Sequence, residues 1–223
     1  MNAVLSFIKK YRHAWTLLYF FIYMTWFLLL EEYVTTYHVV YSPLDDYIPF
    51  CEYFIIPYFL WFLYVPLVVG FLLFNSKEDF YKTSAFLFIG MSICLLICTI
   101  WPNGQNLRVD INPDKNIFCA IISVLYKTDT HTNVFPSIHV FNSIAVHIAV
   151  TKNETLKKYK VIQYSSAILM VLICMATVFL KQHSVLDIVG GVALAMIMYC
   201  FVYRFDYSRV ASFLRYHLQK TPV

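Results

Sequence analysis

Residues 53–74 read YFIIPYFLWFLYVPLVVGFLLF, a run without a single charged side chain. A helix needs roughly 20 mostly apolar residues to cross the hydrocarbon part of a bilayer, and this run is long enough. In lipid, only helices and closed barrels satisfy all backbone polar groups internally. Barrel strands alternate in polarity over about 10 residues, and no such alternation occurs here. The stretch therefore predicts a membrane-spanning helix.

Five further blocks of the same character lie on either side of this run. The six predicted spans cover residues 14–30, 53–74, 84–101, 135–150, 161–180 and 185–203. Of the whole chain, 60% is hydrophobic and only 13% is charged, whereas a soluble domain carries about a quarter charged residues. Internal repeats, low-complexity runs and flexible linkers are not visible. We predict an all-α fold, a polytopic membrane helical bundle with six transmembrane helices, in a single domain over residues 1–223.

The first and fourth blocks need separate arguments. Residues 14–30 lack a small-residue cleavage site and are too long for a cleavable signal peptide, so we interpret them as a retained span. Residues 135–150 are the least apolar block. We keep them as a span because polar residues inside a span more often mark a functional site than refute the span. The polar residues of this block are Ser137, His139, Asn142, Ser143 and His147.

The distribution of basic residues predicts which loops and termini lie on the cytoplasmic side of the membrane. With six spans, both termini lie on one side, together with thirteen of the 17 lysines and arginines. These are Lys9, Lys10, Arg12, Lys77, Lys82, Lys152, Lys157, Lys158, Lys160, Arg204, Arg209, Arg215 and Lys220. The other side holds four, namely Arg108, Lys115, Lys127 and Lys181. This positive-inside bias predicts cytoplasmic termini and two long extracytoplasmic loops, residues 31–52 and 102–134.

Six chemically useful side chains meet at the extracytoplasmic ends of these spans. They are Arg108, Ser137, His139, Lys181, His183 and Asp187. Because His183 and Asp187 are four residues apart at the entrance to the sixth span, we expect them to share one helix face. The topology brings the whole set to one side and one depth, independently of any motif. The sequence therefore predicts an active site at the extracytoplasmic face.

This set of residues suits phosphoryl transfer. A histidine attacks phosphorus when a carboxylate holds its ring, which is the role we predict for Asp187 beside His183. A second histidine, His139, protonates the leaving oxygen and later activates water. An arginine fork such as that of Arg108 binds phosphate oxygens. Ser137 is a plausible helix N-cap that leaves a hydroxyl and backbone N–H groups for an anion.

Each residue also has a simpler interpretation, which stays open at this point. Arg108 alone is typical of a solvated loop charge, Lys181 alone of an interface anchor, and His147 of a structural hydrogen-bonding residue. The six cysteines show no metal-type spacing. A metal site of His139, His183 and Asp187 is chemically adequate, but we predict that no metal or other cofactor is needed. The net charge of +4 is spread over span ends and does not indicate nucleic-acid binding.

Two stretches resemble a known family. Phe-Pro-Ser-Ile-His at 135–139 and Lys-Gln-His-Ser-Val-Leu-Asp-Ile-Val-Gly-Gly at 181–191 are similar to motifs of the type 2 phosphatidic acid phosphatase superfamily. Its signature is Lys-x6-Arg-Pro, then Pro-Ser-Gly-His, then Ser-Arg-x5-His-x3-Asp. The resemblance implies that His183 becomes phosphohistidine with support from Asp187, that His139 is the general acid and base, and that Ser137 binds phosphate. Arg108 matches the arginine of the first motif by position only.

The chain departs from the signature in its phosphate-binding half. Trp101 and Val109 replace the lysine and proline of the first motif, and Ile138 replaces the glycine of the second. Ala176-Thr177 stands where the third motif has Ser-Arg. Lys181, one turn beyond Thr177, is our candidate for the missing charge. Alternatively, the site resembles the branch that transfers phospho-headgroups between lipids, such as inositol phosphorylceramide and sphingomyelin synthases.

Three functions follow, in order of preference. The first is a metal-independent membrane lipid phosphatase that hydrolyses a lipid phosphate monoester or pyrophosphate through a phosphohistidine. The second is a lipid phosphotransferase that moves a phospho-headgroup to a lipid hydroxyl. The third is a non-catalytic transporter or scaffold, in which the polar fourth span lines a pathway. In the first two, the partners are the bilayer and a lipid phosphate substrate.

Overall fold

A computed structural model describes residues 2–205 of the chain, which fold into helices joined by short turns and by two longer loops. The helices are α1 (Asn2–Lys10), α2 (Tyr19–Tyr33), α3 (Ile55–Asn75), α4 (Lys77–Ile100), α5 (Ile117–Thr128), α6 (Ile138–Lys152), α7 (Lys160–Phe179) and α8 (Val185–Tyr199). A 3-10 turn over Arg12–Leu18 precedes α2, and a π-helical turn over Cys200–Arg204 follows α8. Three basic residues used for the sidedness prediction, Arg209, Arg215 and Lys220, lie outside the described residues.

Five segments of the described chain are long and apolar enough to cross a membrane. They are Arg12–Tyr33, Glu52–Asn75, Lys77–Ile100, Lys160–Phe179 and Val185–Arg204. Each matches a predicted block, which confirms an all-α membrane fold. The predicted count of six is not confirmed, because α6 in the fourth block has only 15 residues. At about 1.5 Å per residue, such a helix is shorter than the roughly 30 Å of hydrocarbon that a span crosses.

The outer surface of the bundle is apolar, which is the arrangement expected in lipid. In Arg12–Tyr33, only 11% of the residues in the most apolar window are buried inside the protein. Large apolar side chains such as Phe21 and Ile22 are instead exposed, at 66% and 64%. A contiguous apolar surface of this kind is rare on soluble monomers. The fold is therefore that of an integral membrane protein.

Helix α6 lies at the centre of the bundle and packs against α3, α4, α7 and α8. At its start, the backbone N–H of Ser137 donates to the carbonyl of Asp187, at 3.1 Å. Just beyond its end, the amide of Asn153 donates to Asp79 at the start of α4, at 2.8 Å. Although it is short, α6 thus connects one end of the bundle to the other. Its polar residues Asn142 and Ser143 are buried inside the protein.

The two long loops fold together over one end of the bundle. A pair of short parallel strands, β1 (His38–Val39) and β2 (Asn103–Gly104), joins the first loop to the second. Lys115 forms an ion pair with Glu52 at 2.7 Å. Helix α5 lies in the second loop, where the sequence analysis predicted only a loop. The apolar residues of α5 are visible in the sequence, but the helix is too short to be a span. Its position depends on the contacts between the two loops.

Two glycines on neighbouring helices give a prediction about packing. An added methyl group on Gly90 of α4 would lie 1.9 Å from the ring of Phe141 on α6, so the two helices would have to separate. Overpacking of a core of this kind costs about 1–3 kcal/mol. We expect Gly90→Ala to lower the thermal unfolding temperature in detergent by several degrees.

Gly70→Ala is the matched control. Gly70 also lies inside a membrane-spanning helix, but an added methyl group there meets nothing within 4 Å. We expect the unfolding temperature of this variant to stay the same or to rise slightly, because alanine favours the helix. Equal unfolding temperatures for the two variants would show that α4 and α6 do not pack closely at Phe141.

Candidate active site

The predicted histidine–aspartate pair is in contact. Nδ1 of His183 lies 3.2 Å from Oδ2 of Asp187. Asp187 is fully buried and His183 is almost so. A carboxylate at Nδ1 fixes the orientation of the ring and leaves Nε2 as the nitrogen that meets a reacting atom. The pair therefore has the arrangement of a nucleophilic histidine whose ring is held by a carboxylate.

The predicted reason for this contact, a shared helix face, is wrong. Helix α8 begins at Val185, and His183 precedes its N-cap, Ser184. Ser184 and Asp187 form a capping box, in which Oδ2 of Asp187 accepts the N–H of Ser184 at 2.8 Å. Capping turns the Asp187 carboxylate back toward the loop, and His183 meets it there.

Ser137 and His139 reach the same place from α6. Ser137 is the N-cap of α6, as predicted, but its hydroxyl makes no capping hydrogen bond. The hydrogen bond from the Ser137 N–H to the Asp187 carbonyl brings the start of α6 beside the start of α8. Gly191 permits this approach, because an added methyl group there would lie 2.9 Å from the Ser137 carbonyl oxygen. Gly190 is in a similar position, since an added methyl group there would lie 2.6 Å from the ring of Phe135.

The His139 ring is held among aromatic side chains of α3. Its centroid lies 4.6 Å from that of Tyr58 and 4.5 Å from that of Trp61. The centroid of the His183 ring lies 5.8 Å away, with the two rings close to perpendicular. Aromatic contacts of this geometry restrict the ring without using its nitrogens. The two histidine rings are therefore neighbours at the site.

Several buried polar atoms of the predicted site residues lack a hydrogen-bond partner. Within residues 2–205, they include Ser137 Oγ, His139 Nε2, Asp187 Oδ1 and Arg108 Nε. Buried polar atoms are nearly always paired in native proteins, and an unpaired one calls for an explanation such as a catalytic role. Four unpaired atoms on residues that the sequence selected point to a polar ligand at this position.

Arg108 lies at the site, but its guanidinium is already occupied. Nη1 donates to the carbonyls of Tyr126 and Asp129, both at 2.9 Å. Nη2 donates to the Thr130 carbonyl at 2.7 Å and to Oε1 of Gln182 at 2.6 Å. These four hydrogen bonds hold the end of α5 and the residues after it against the loop that carries His183. Of the Arg108 donors, Nε alone has no partner.

Lys181 also has a different contact from the one the sequence suggested. It lies beyond the end of α7 rather than on that helix, in a left-handed backbone conformation with φ of 53°. Its ammonium donates to the carbonyl of Asp45 at 2.8 Å and is buried. The idea that Lys181 continues the helix face of Thr177 is therefore wrong, because the chain leaves the helix before reaching it.

Four residues that the sequence analysis did not select complete the surroundings of the site. They are Glu31, Asp45, Asp129 and Gln182. Glu31 accepts hydrogen bonds from Thr130 and Asn133 and so braces the outer loop. Gln182 joins Arg108 to Asp129. Their positions depend on contacts between distant parts of the chain, for which the sequence carries no local signal.

His147 has the structural role predicted for it. Its Nδ1 lies 2.9 Å from the hydroxyl of Ser166, which in turn lies 2.6 Å from that of Tyr64. These contacts tie α6 to α7 and α3, two turns away from the site.

Among the described residues, groups of three or more His, Cys, Asp or Glu arranged to hold a metal ion are not found.

Asp129 gives a prediction about pH and stability. Burial raises the pKa of its carboxyl from 3.8 to about 6, with a further rise from Glu31 that Arg108 and His183 oppose. Between these two values the folded protein keeps a proton that the unfolded chain has lost, so this contribution to stability falls as the pH rises. We expect Asp129→Asn to be more stable, relative to wild type, at pH of about 7 than at about 4.

The measurement is the difference in unfolding temperature between wild type and variant across that pH window. Asp114→Asn is the control, since Asp114 is exposed on the same loop. Its difference from wild type should not change over the window. If the Asp129→Asn difference is equally flat, the carboxylate is not buried in the folded protein.

Comparison with known proteins gives one match. A family model described as the PAP2 superfamily matches residues 111–211, which include α5 to α8 and the motifs around Ser137, His139, His183 and Asp187. The curated proteins and the solved structures contain no match to the chain. Arg108, Asp45 and Glu31 lie outside the matched region.

Proposed function

Since the chain belongs to the PAP2 superfamily, the type 2 phosphatidic acid phosphatase superfamily, through residues 111–211, we propose that it is a membrane lipid phosphatase. In this proposal it hydrolyses a lipid phosphate monoester or pyrophosphate through a phosphohistidine on His183, without a metal. The observation that carries the proposal is the contact of 3.2 Å between His183 Nδ1 and Asp187 Oδ2, beside the unpaired Nε2 of His139.

In the first step, Nε2 of His183 attacks phosphorus, and the bond from phosphorus to the lipid oxygen breaks. Protonated His139 gives its proton to the leaving oxygen. Asp187 stabilises the positive charge that develops on the His183 ring. The His139 and His183 rings are neighbours, with centroids 5.8 Å apart, so in this proposal both act on the same phosphoryl group.

In the second step, His139 takes a proton from a water molecule that attacks the same phosphorus. The bond from phosphorus to His183 breaks, inorganic phosphate leaves, and both histidines return to their starting states. Ser137 is our candidate ligand for the phosphate oxygens, because its buried hydroxyl is unpaired at the start of α6. In this proposal, Arg108 donates from its unpaired Nε to the phosphate, and the buried ammonium of Lys181 adds positive charge near it.

The surroundings of His139 favour a lipid substrate. Phe62 on α3 is 54% exposed on the lipid-facing surface of the bundle, and its ring centroid lies 6.5 Å from that of His139. Phe59, one turn earlier, is also exposed. A lipid lying against this face would bring its headgroup to the histidines while its chains stay in the bilayer.

For the membrane arrangement, we propose that the chain crosses the bilayer six times, with α6 as the fourth crossing, and that the site is extracytoplasmic. The contacts at both ends of α6 support this, since the helix reaches from the site to the start of α4. Within the described chain, the side of the site holds four basic residues, whereas the short connections opposite it and the adjoining helix ends hold six. These residues are Lys77, Lys82, Lys152, Lys157, Lys158 and Lys160.

The occupied guanidinium of Arg108 favours a second candidate, a lipid phosphotransferase. A phosphomonoester carries more negative charge than a phosphodiester and needs more cationic partners. Four of the Arg108 donors are used by the protein itself. A diester headgroup, passed from His183 to a lipid hydroxyl instead of water, would need less positive charge.

Trapping the intermediate tests both candidates. Purified protein in detergent is mixed with radiolabelled lipid phosphates and phosphodiesters, then quenched in base, in which phosphohistidine survives. Label on His183 is expected for the substrate class that the protein uses. Free phosphate without added acceptor supports the phosphatase, whereas label in a second lipid only when a hydroxyl lipid is present supports the transferase. Absence of label with every substrate contradicts both.

A further inference from the structure

Asp45 in the first outer loop contacts the loop that carries His183 on both sides of that histidine. Its Oδ2 accepts the hydroxyl of Ser184 at 2.6 Å, and its Oδ1 accepts the N–H of Val185 at 2.8 Å. Its backbone carbonyl accepts the ammonium of Lys181. One residue thus binds the positions two before, one after and two after His183.

Asp45 is itself firmly held. It lies in a 3-10 turn over Pro43–Asp46, where its Oδ2 also accepts the N–H of Ser42 at 2.8 Å in a capping box. The side chain is buried, with 2% exposed. A buried carboxylate with three donors is strongly bound, since hydrogen bonds to charged groups are about twice as strong as neutral ones.

The start of α8 therefore has two carboxylates with separate tasks. Asp187 accepts the Ser184 N–H and contacts His183. Asp45 accepts the next N–H, that of Val185, and the Ser184 hydroxyl. Both are favoured by the positive end of the helix dipole. Asp187 can turn toward His183 because Asp45 satisfies donors of the cap that would otherwise compete for it.

We propose that Asp45 is a positioning residue of the active site, which fixes the backbone of residues 181–187 so that His183 Nε2 points at phosphorus. Asp45 does not touch the reacting atoms in this proposal. The expected effect of Asp45 on turnover rests on the proposed function. Its effect on the stability of residues 181–187 can be measured without any enzymatic activity.

The test compares Asp45→Asn with Asp46→Asn. An asparagine keeps one acceptor oxygen but places an NH2 group against the Ser42 N–H or the Val185 N–H. The neighbour Asp46 is exposed and accepts only from Tyr41 among the described contacts, so it is a matched control. Misplacement of a reacting group by about 1 Å can cost about 10²-fold in rate. We expect kcat to fall about 10- to 100-fold in Asp45→Asn, with KM little changed, and both constants to be unchanged in Asp46→Asn.

Hydrogen exchange gives the second readout. The peptide covering residues 181–187 should exchange faster in Asp45→Asn by roughly tenfold, and at the wild-type rate in Asp46→Asn. Asp45→Glu, which keeps the charge, should recover part of the turnover. If Asp45→Asn does not fold, Ser184→Ala removes one of the same hydrogen bonds and should show the same two effects to a smaller degree.

The outcomes separate this inference from the proposed function. Unchanged exchange in Asp45→Asn overturns it, and so does faster exchange with unchanged kcat, since the residue would then be merely structural. If the wild-type protein forms no phosphohistidine, the proposed function is wrong, and the exchange comparison decides by itself whether Asp45 holds the loop.

Discussion

Replacing His183 with alanine should lower turnover by about 10⁴-fold or more, because the variant has no nitrogen to accept the phosphoryl group. Label from the radioactive substrate should be lost from the protein altogether. The fold should survive, since the Ser184 N–H continues to hold Asp187 through the capping box, and Asp45 continues to hold Ser184. The measurements are steady-state turnover and trapped label on protein whose unfolding temperature matches wild type.

His131→Ala is the control for this experiment. His131 lies on the outer loop at the same end of the bundle, but its side chain is exposed and faces Tyr37 rather than the site. This variant should keep wild-type turnover. If a folded His183→Ala protein still forms phosphohistidine, the nucleophile is a residue other than His183. Wild-type protein that turns over no lipid phosphate would favour the transporter or scaffold interpretation instead.

The helices in five of the six predicted blocks follow from hydropathy alone. Five of the six apolar blocks in the sequence are helices long enough to cross the membrane. The fourth block was kept only for its polar residues and for the balance of charge, and it folds into the short, central α6. Hydropathy averaged along the chain does not identify such a helix, because buried polar residues such as Asn142 and Ser143 lower the average.

The meeting of Ser137, His139, His183 and Asp187 could be predicted because it depends on topology. Each residue lies at the end of a predicted span, and antiparallel spans place alternate ends on one side. The way in which His183 reaches Asp187 was not predicted. That contact depends on the capping box at Ser184, which starts the helix two residues later than the spacing suggests.

The phosphate-binding half of the site was less predictable than the catalytic half. Arg108 and Lys181 were chosen for their charge, yet both donate to backbone carbonyls of the protein. The direction of a long side chain depends on local backbone conformation, here the left-handed Lys181, and on loops that pack across the site. Asp45 is the clearest case, since its partners are more than 130 residues away in the chain.

His139→Ala should separate the two chemical steps, which gives the second large effect. General acid–base catalysis contributes typically 10²–10⁴-fold. With a lipid phosphate, whose alkoxide leaving group needs a proton, we expect turnover to fall by that factor at the first step. With an aryl phosphate, whose leaving group departs without protonation, the first step should survive and the attack of water should be slow. Phosphohistidine should therefore accumulate only with the aryl substrate.

The control is His147→Ala, which removes the other histidine of α6. His147 lies two turns further along that helix and bonds to Ser166, so both substrates should react at the wild-type rate. If His139→Ala slows the aryl and lipid substrates equally before any label appears, His139 binds or orients the substrate instead of moving protons. The placement of His139 between Tyr58 and Trp61 argues for the proton role, because these rings hold the imidazole but offer no bond to its unpaired Nε2. That nitrogen is left for the leaving oxygen and then for water.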